Sequence, residues 1–165
     1  MRVNITAIML LGASAVCSSA VSAKESSIAV SFSGMLVDAA ACSIEADQPI
    51  QVSFGNQVVV EKIDGLEYQQ AIAFRLNCSQ LNSPAMRLRI QGSATQIAGR
   101  TVLDAGKNGL GIALYRNRSN MSPNVWYSFS YPNPPTLTAA PIKNSTANLE
   151  LGSFAMTATL TIEYQ

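Results

Sequence analysis

The last twelve residues of the chain constrain its fold most strongly. Along residues 154–165, apolar side chains alternate with threonines and one glutamate, which is the period expected of a strand with one buried face. This is the longest regular alternation in the sequence, and no segment carries a sustained helical period. We therefore predict an all-β protein. The apolar members are Phe154, Met156, Ala158, Leu160, Ile162 and Tyr164.

Shorter runs of the same kind recur along the chain, with turn residues between them. Such a series is typical of one domain built as an antiparallel two-sheet sandwich. Small and polar residues predict a loop over residues 92–99. The predicted strands before the last are residues 35–40, 50–54, 58–60, 72–78, 86–90, 101–103, 110–115, 125–127 and 136–142.

A second alternating stretch lies near the amino end. Ile28, Val30 and Phe32 share one face, and Gly34 interrupts the run before the first strand of the body. A strand hinged on a glycine can pair within its own sheet or with the sheet edge of another molecule. We interpret it as a strand that is given to a neighbour, with pairing in its own sheet as the alternative.

Residues 1–23 predict a secretory signal. Arg2 gives a positive start, residues 5–16 form an apolar run too short to span a bilayer, and small residues precede the expected cleavage after Ala23. Cleavage after Ala20 is the alternative. Without Arg2 the ten acidic residues balance the basic ones, and no basic run interleaves with aromatic residues. We therefore expect no nucleic-acid partner.

Cys42 and Cys78 remain after the signal, and in an exported chain they form either one disulfide or two buried thiols. The chain contains no histidine, which excludes a Ser-His-Asp arrangement and a histidine metal site. The carboxylates are scattered over predicted loops. We predict no enzymatic activity, metal, cofactor or small-molecule substrate.

Three aromatic residues leave a second function open. Trp126, Tyr127 and Tyr131 either cover one end of the sandwich or form a platform for a sugar. The alternative function is therefore a free-standing secreted sandwich domain that binds sugar. Arg87 and Arg89 are interpreted as part of a solvated face.

Taken together, the motifs resemble those of a chaperone–usher pilus subunit, and specifically of a minor tip adaptor of P-type pili. Gly152 and Tyr164 occupy the places of the family's glycine near the end and its penultimate tyrosine. The resemblance covers the whole chain after the signal. Its segments are residues 28–34, 41–44, 52–56, 76–78, 111–115 and 158–165.

The resemblance implies an incomplete immunoglobulin-like sandwich over residues 35–165, which lacks its final strand. A periplasmic chaperone would fill the gap between residues 35–40 and the last strand until, at an outer-membrane usher, a neighbouring subunit's tail replaces it. Residues 24–34 would be the donor-strand extension, with Ile28, Val30, Phe32 and Gly34 as its defining residues. The groove edge would comprise Gly152, Phe154, Met156, Ala158, Leu160, Ile162 and Tyr164.

The resemblance also implies export through the periplasm to a cell-surface fimbrium, where the tip adhesin is a candidate neighbour. This sequence departs from the family pattern at two points. Ile28 stands where many donor tails carry a glycine, and one additional residue separates Gly34 from Cys42. The second departure predicts a bulge within residues 39–41.

Overall fold

A computed structural model describes residues 28–36, 41–44 and 49–165. The chain divides into two units, Met1–Leu36 and Val37–Gln165. The predicted signal, residues 24–27 and residues 39–40 of the predicted bulge lie outside the described residues, as does most of the first predicted strand. In the first unit, residues 28–36 have no regular secondary structure, and their side chains are exposed.

The described part of the second unit contains eleven strands and one short 3-10 turn, Val60–Lys62. The all-β prediction is confirmed. The strands are β1 (Ala41–Ile44), β2 (Gln70–Ala71), β3 (Leu76–Ser79), β4 (Ala85–Gln91), β5 (Ala94–Ile97), β6 (Arg100–Lys107), β7 (Leu110–Arg116), β8 (Ser119–Met121), β9 (Tyr127–Ser130), β10 (Leu137–Lys143) and β11 (Thr159–Tyr164).

These strands form three antiparallel sheets. The largest has the order β2-β10-β7-β6-β5, with β8 also paired to β7. The second has the order β11-β4-β9, and β1 pairs with β3 in a small third sheet. Side chains from the two larger sheets meet in one buried cluster, as the predicted immunoglobulin-like sandwich requires.

Strand β4 lies at the centre of its sheet, paired with both β11 and β9, and it buries one face. Met86, Leu88 and Ile90 are almost fully buried, while Arg87 and Arg89 between them are only partly buried. Strand β7 is different because it is buried on both faces. Its inward side chains join the main core, while Ala113 and Tyr115 join a second cluster on the other face of the sheet. This confirms the prediction of a central strand over residues 110–115.

Gly111 permits the close approach of β6 to β7. A Cβ atom built on this residue would lie 2.6 Å from Val102 Cγ2 and 2.9 Å from the carbonyl oxygen of Leu103. The second contact is with backbone, which cannot rotate away as a side chain can. The absence of a side chain at position 111 is therefore a packing requirement of the largest sheet.

Several predicted elements differ from the described strands. Residues 50–54 and residues 72–75 of the strand predicted at 72–78 lie in no described strand. Three further differences follow, the first because tertiary pairing overrides a local pattern. Residues 92–99 contain β5, which pairs with β6 through a two-residue turn in which Ala98 and Gly99 both have positive φ. Residues 58–60 lead into the 3-10 turn instead of forming an edge strand. The strand predicted at residues 125–127 begins only at Tyr127.

A turn at Asp64 covers the outer face of the largest sheet. The amide of Gly65 donates to the carbonyl of Pro141 at 2.9 Å, and the Tyr115 hydroxyl donates to the carbonyl of Gly65. Asp64 Oδ1 accepts hydrogen bonds from the amides of Glu67 and Leu66, both at 2.7 Å. These two bonds, that of Glu67 first, hold the pKa of Asp64 below its ordinary value.

We expect Gly111→Ala to destabilise the purified protein by about 1–3 kcal/mol, because the added methyl overpacks the contact with β6. The matched control is Gly34→Ala, since a Cβ at Gly34 meets nothing within 4 Å. Chemical denaturation of both variants, each purified in complex with the chaperone that the family resemblance implies, measures the difference in the free energy of unfolding. Equal stability of the two variants would contradict the packing requirement.

We expect the advantage of the wild type over Asp64→Asn to disappear in acid. Because the folded pKa of Asp64 is lowered, the carboxylate stabilises the fold above its unfolded pKa, and this contribution is lost as pH falls through the folded pKa. Thermal midpoints of both proteins, compared from about pH 5 to pH 2, should therefore converge. A difference between the two thermal midpoints that widens as the pH falls would show that the Asp64 carboxylate does not stabilise the turn.

Candidate strand-acceptor groove

The final predicted strand is divided into two parts. Residues 159–164 form β11 and pair with β4, whereas residues 149–158 belong to no strand that the structure describes. Burial nevertheless alternates through the unpaired part. The apolar members Phe154, Met156 and Ala158 are half-buried, and the residues between them are exposed. The unpaired part therefore keeps the side-chain arrangement of a strand without the backbone partner of one.

A second segment has the same character. In residues 50–54, Ile50, Val52 and Phe54 are half-buried and the intervening residues are exposed, yet this segment is not in a described strand. The ring centroids of Phe54 and Phe154 lie 6.1 Å apart with an interplanar angle of 25°. This contact brings the two segments together. Sequence analysis predicted a strand at residues 50–54 but did not predict that it lies against the last segment.

We call the surface between these segments the groove. Its apolar side chains pack against the main core but remain partly exposed to solvent. Strand β11 borders the groove with its free edge, because its only partner among the described strands is β4. Phe54, Phe154, Met156 and Ala158 lie on the two bordering segments. The half-buried apolar residues that pack against the main core, apart from Tyr127 and Phe129 of β9, are Phe54, Val58, Ile72, Phe74, Leu149, Phe154, Met156, Ala158, Leu160 and Ile162.

The beginning of the last segment is held by a lysine that sequence analysis missed. Lys107 Nζ donates to the carbonyl oxygens of Glu150 and Leu151, at 3.1 and 3.4 Å. Gly152 follows with a φ of +113°, a conformation that favours glycine. The family pattern pointed to Gly152, but no local pattern marks Lys107, whose partners lie more than forty residues away.

Polar contacts on the outer face fix β11 to β4. Arg87 donates two hydrogen bonds to Glu163 Oε2, at 2.8 and 3.0 Å, and Thr161 donates to Gln91 Oε1 at 2.9 Å. The Arg87–Glu163 pair is more than a third exposed, so it contributes at most about 1 kcal/mol. These contacts orient the paired half of the last segment more than they stabilise it.

The three aromatic residues singled out in the sequence have protein neighbours. The guanidiniums of Arg87 and Arg89 lie over the Trp126 ring, 4.5 and 4.3 Å from its centroid. The Tyr127 hydroxyl accepts a hydrogen bond from the Ser122 amide at 2.8 Å, and Tyr131 is partly buried. Arg87 and Arg89 lie on the partly exposed face of β4, and both guanidiniums also pack on the indole.

The tail, residues 28–36, presents large apolar side chains to solvent. Ile28 is 90% exposed, Val30 66% and Phe32 93%, and Met35 and Leu36 continue the series. Runs of exposed apolar residues of this size mark binding segments or aggregation sites.

Cys42 and Cys78 form a disulfide between directly opposed positions of β1 and β3, with Cα atoms 4.1 Å apart. In the described parts of the chain, no cluster of three or more His, Cys, Asp or Glu side chains could hold a metal ion. No helix among these residues is long and apolar enough to cross a membrane.

Residues 17–165 match the family model described as fimbrial protein. The chain belongs to this family. The fimbrial subunit is 35% identical over 136 residues to the uncharacterized fimbrial-like protein YfcR of Escherichia coli strain K12, with 79% of this chain and 78% of YfcR covered. The recognition of a pilin from sequence motifs is confirmed.

Two solved structures share the fold of the fimbrial subunit. The P pilus rod subunit PapA superimposes with a TM-score of 0.60 and 18% identity, covering 75% of this chain and 99% of PapA. The P pilus adaptor subunit PapF gives a TM-score of 0.53 and 24% identity, covering 75% of this chain and 95% of PapF. The predicted fold class is thereby confirmed.

Proposed function

We propose that this fimbrial subunit joins its neighbours by donor-strand exchange. Its groove accepts an extended strand from one neighbour, and its tail, with residues 24–33 as the donated strand, is given to another. The observation that carries the proposal is the free edge of β11 above half-buried apolar side chains. The exposed tail of the same chain has the residue pattern of the strand that such a groove lacks.

An added strand corrects two defects at once. It supplies hydrogen-bond partners to the free edge of the last segment, and it covers apolar side chains that water now reaches. Burying Ile28, Val30 and Phe32 contributes roughly 1.5–3 kcal/mol each before ordering costs. Because the strand completes its host's core, the joint also unfolds slowly.

The open groove needs cover before assembly, since an exposed apolar edge leads to aggregation. We assign this role to a periplasmic chaperone and the exchange itself to an outer-membrane usher. The predicted signal, residues 1–23, supports export to the cell-surface fimbrium by this route. The adaptor position at the tip, next to the adhesin or another tip subunit, is supported by the motifs and by the fold shared with PapF.

The proposal gives the chain a structural role with no catalysis and no cofactor. Sugar binding by a free-standing domain receives no support from the aromatic residues, because two guanidiniums already lie over the Trp126 ring.

Deletion of residues 24–33 separates the two roles of the subunit. We expect the deleted protein to form a one-to-one periplasmic complex with its chaperone, because the groove is intact. We expect it to fail to join the subunit whose groove would accept its tail, because the donated strand is missing. Co-purification from the periplasm, followed by assembly with the neighbouring subunits, measures both effects. Loss of chaperone binding on deletion would contradict the division of roles, as would a stable chaperone-free monomer of the intact subunit.

A charge placed in the groove should prevent its occupation. Met156 is half-buried and faces the core, whereas Thr157 is exposed on the opposite face. We expect Met156→Asp to reduce the recovery of the chaperone complex at least tenfold, because the carboxylate would be buried beneath the incoming strand. Thr157→Asp, the matched control, should change recovery less than twofold, and equal effects of the two would exclude this groove as the docking site.

A further inference from the structure

Two lysines at one end of the largest sheet bind backbone on either side of the groove. Lys107 is the last residue of β6, and its Nζ donates to the carbonyl oxygens of Glu150 and Leu151. Lys143 is the last residue of β10, and its Nζ donates to the carbonyl oxygen of Val60 at 2.6 Å. Among the residues that the structure describes, neither ammonium is in an ion pair with a carboxylate.

The strands that carry the two lysines flank β7. Lys107 of β6 and Lys143 of β10 both lie opposite Leu110 of β7 in the register of the sheet. Neighbouring strands are about 4.8 Å apart, so these two outer strands are about 9.6 Å apart. A strand inserted between two borders needs the same separation, because it requires one such spacing on each side. The sheet thus supplies a distance that matches the width of one additional strand.

The two binding points belong to different borders of the groove. Val60 follows Phe54 by six residues, through Val58, which is half-buried against the main core. Leu151 precedes Phe154 by three residues. Because the two rings are in contact, the bordering segments approach the end of the sheet that carries the lysines in opposite chain directions.

Apolar borders approach each other unless something holds them, since contact between them buries surface that an open groove leaves exposed. The contact of the Phe54 and Phe154 rings is such an approach, a few residues away from the lysines. A hydrogen bond from a charged donor is stronger than a neutral one. Three of them, to carbonyls on both borders, therefore oppose closure at this end of the groove.

We propose that Lys107 and Lys143 are positioning residues for strand exchange, which hold the two borders one strand apart while one strand leaves and another enters. This inference rests on the proposed function. The lysines act through the backbone of the borders and not through contact with the inserted strand. Two fixed points are needed to define one distance, so the loss of either lysine removes the spacing and the loss of both removes little more.

The test measures strand uptake by the subunit in complex with its chaperone. A synthetic peptide of tail residues 26–36 is added, and native mass spectrometry follows the replacement of the chaperone by the peptide. We expect Lys107→Met and Lys143→Met each to slow uptake at least about fivefold, because each removes charged hydrogen bonds to a border. The double variant should be within about twofold of the slower single variant.

Two sets of variants separate the loss of the hydrogen bonds from the loss of charge. Lys107→Arg and Lys143→Arg keep a charged donor and should remain within about twofold of the wild-type rate. Lys62→Met is the matched control, because it removes the same charge from an exposed residue of the 3-10 turn. It should change the rate of uptake less than about twofold.

Single effects that multiply in the double variant would show two independent structural contacts and would overturn the inference. Equal slowing by Lys62→Met would do the same. If a methionine variant is not recovered with its chaperone, the glutamine variants of Lys107 and Lys143, which keep an uncharged donor, are compared in the same way.

The outcome for the wild type separates the two proposals. A wild-type complex that takes up no tail peptide would overturn the positioning role together with the acceptor role of the groove. Uptake at the same rate by the wild type and every lysine variant would overturn the positioning role alone and leave donor-strand exchange standing.

Discussion

The structure depends on an apolar surface that its own described strands leave uncovered. The two larger sheets bury a common core, yet the side of that core beneath residues 149–162 is only half-buried. In a closed sandwich another strand would cover these side chains and bond to the free edge of β11. The proposed donor-strand exchange and the proposed chaperone partner both follow from this one deficit.

The paired and unpaired halves of the last segment show how the uncovered apolar surface is restricted to the groove. Strand β11 is fixed to β4 by backbone pairing and by polar contacts at Glu163 and Thr161. The preceding half is held at its start by Lys107 and touches the opposite border through Phe154. The groove thus has fixed borders and a half-buried apolar floor, which suits the proposed exchange of strands.

Sequence patterns correctly predicted those strands in which the burial of one or both faces decides the secondary structure. The alternation of residues 86–90 and the apolar run of residues 110–115 gave the correct strands, because each has one dominant environment. Patterns failed at β5, where a turn at Ala98 and Gly99 makes a strand from residues that look like a loop. Alternation in residues 50–54 predicted a strand that the structure does not form, because the absence of a pairing partner among the described strands is a non-local property. The contact of Phe54 with Phe154 spans a hundred residues of sequence, so no local signal could have revealed it.

The position of the disulfide has a mechanical consequence for a fibre. Cys42 lies eight residues after Gly34, and it is bonded to Cys78 across β1 and β3. If a neighbour holds the tail, tension enters the body at β1 and is transferred at once to β3 through a covalent bond. The 36-residue interval between the two cysteines is then shielded from stretching. Under load such a subunit can lengthen before the first cysteine or after the second, but not within the loop that the disulfide closes.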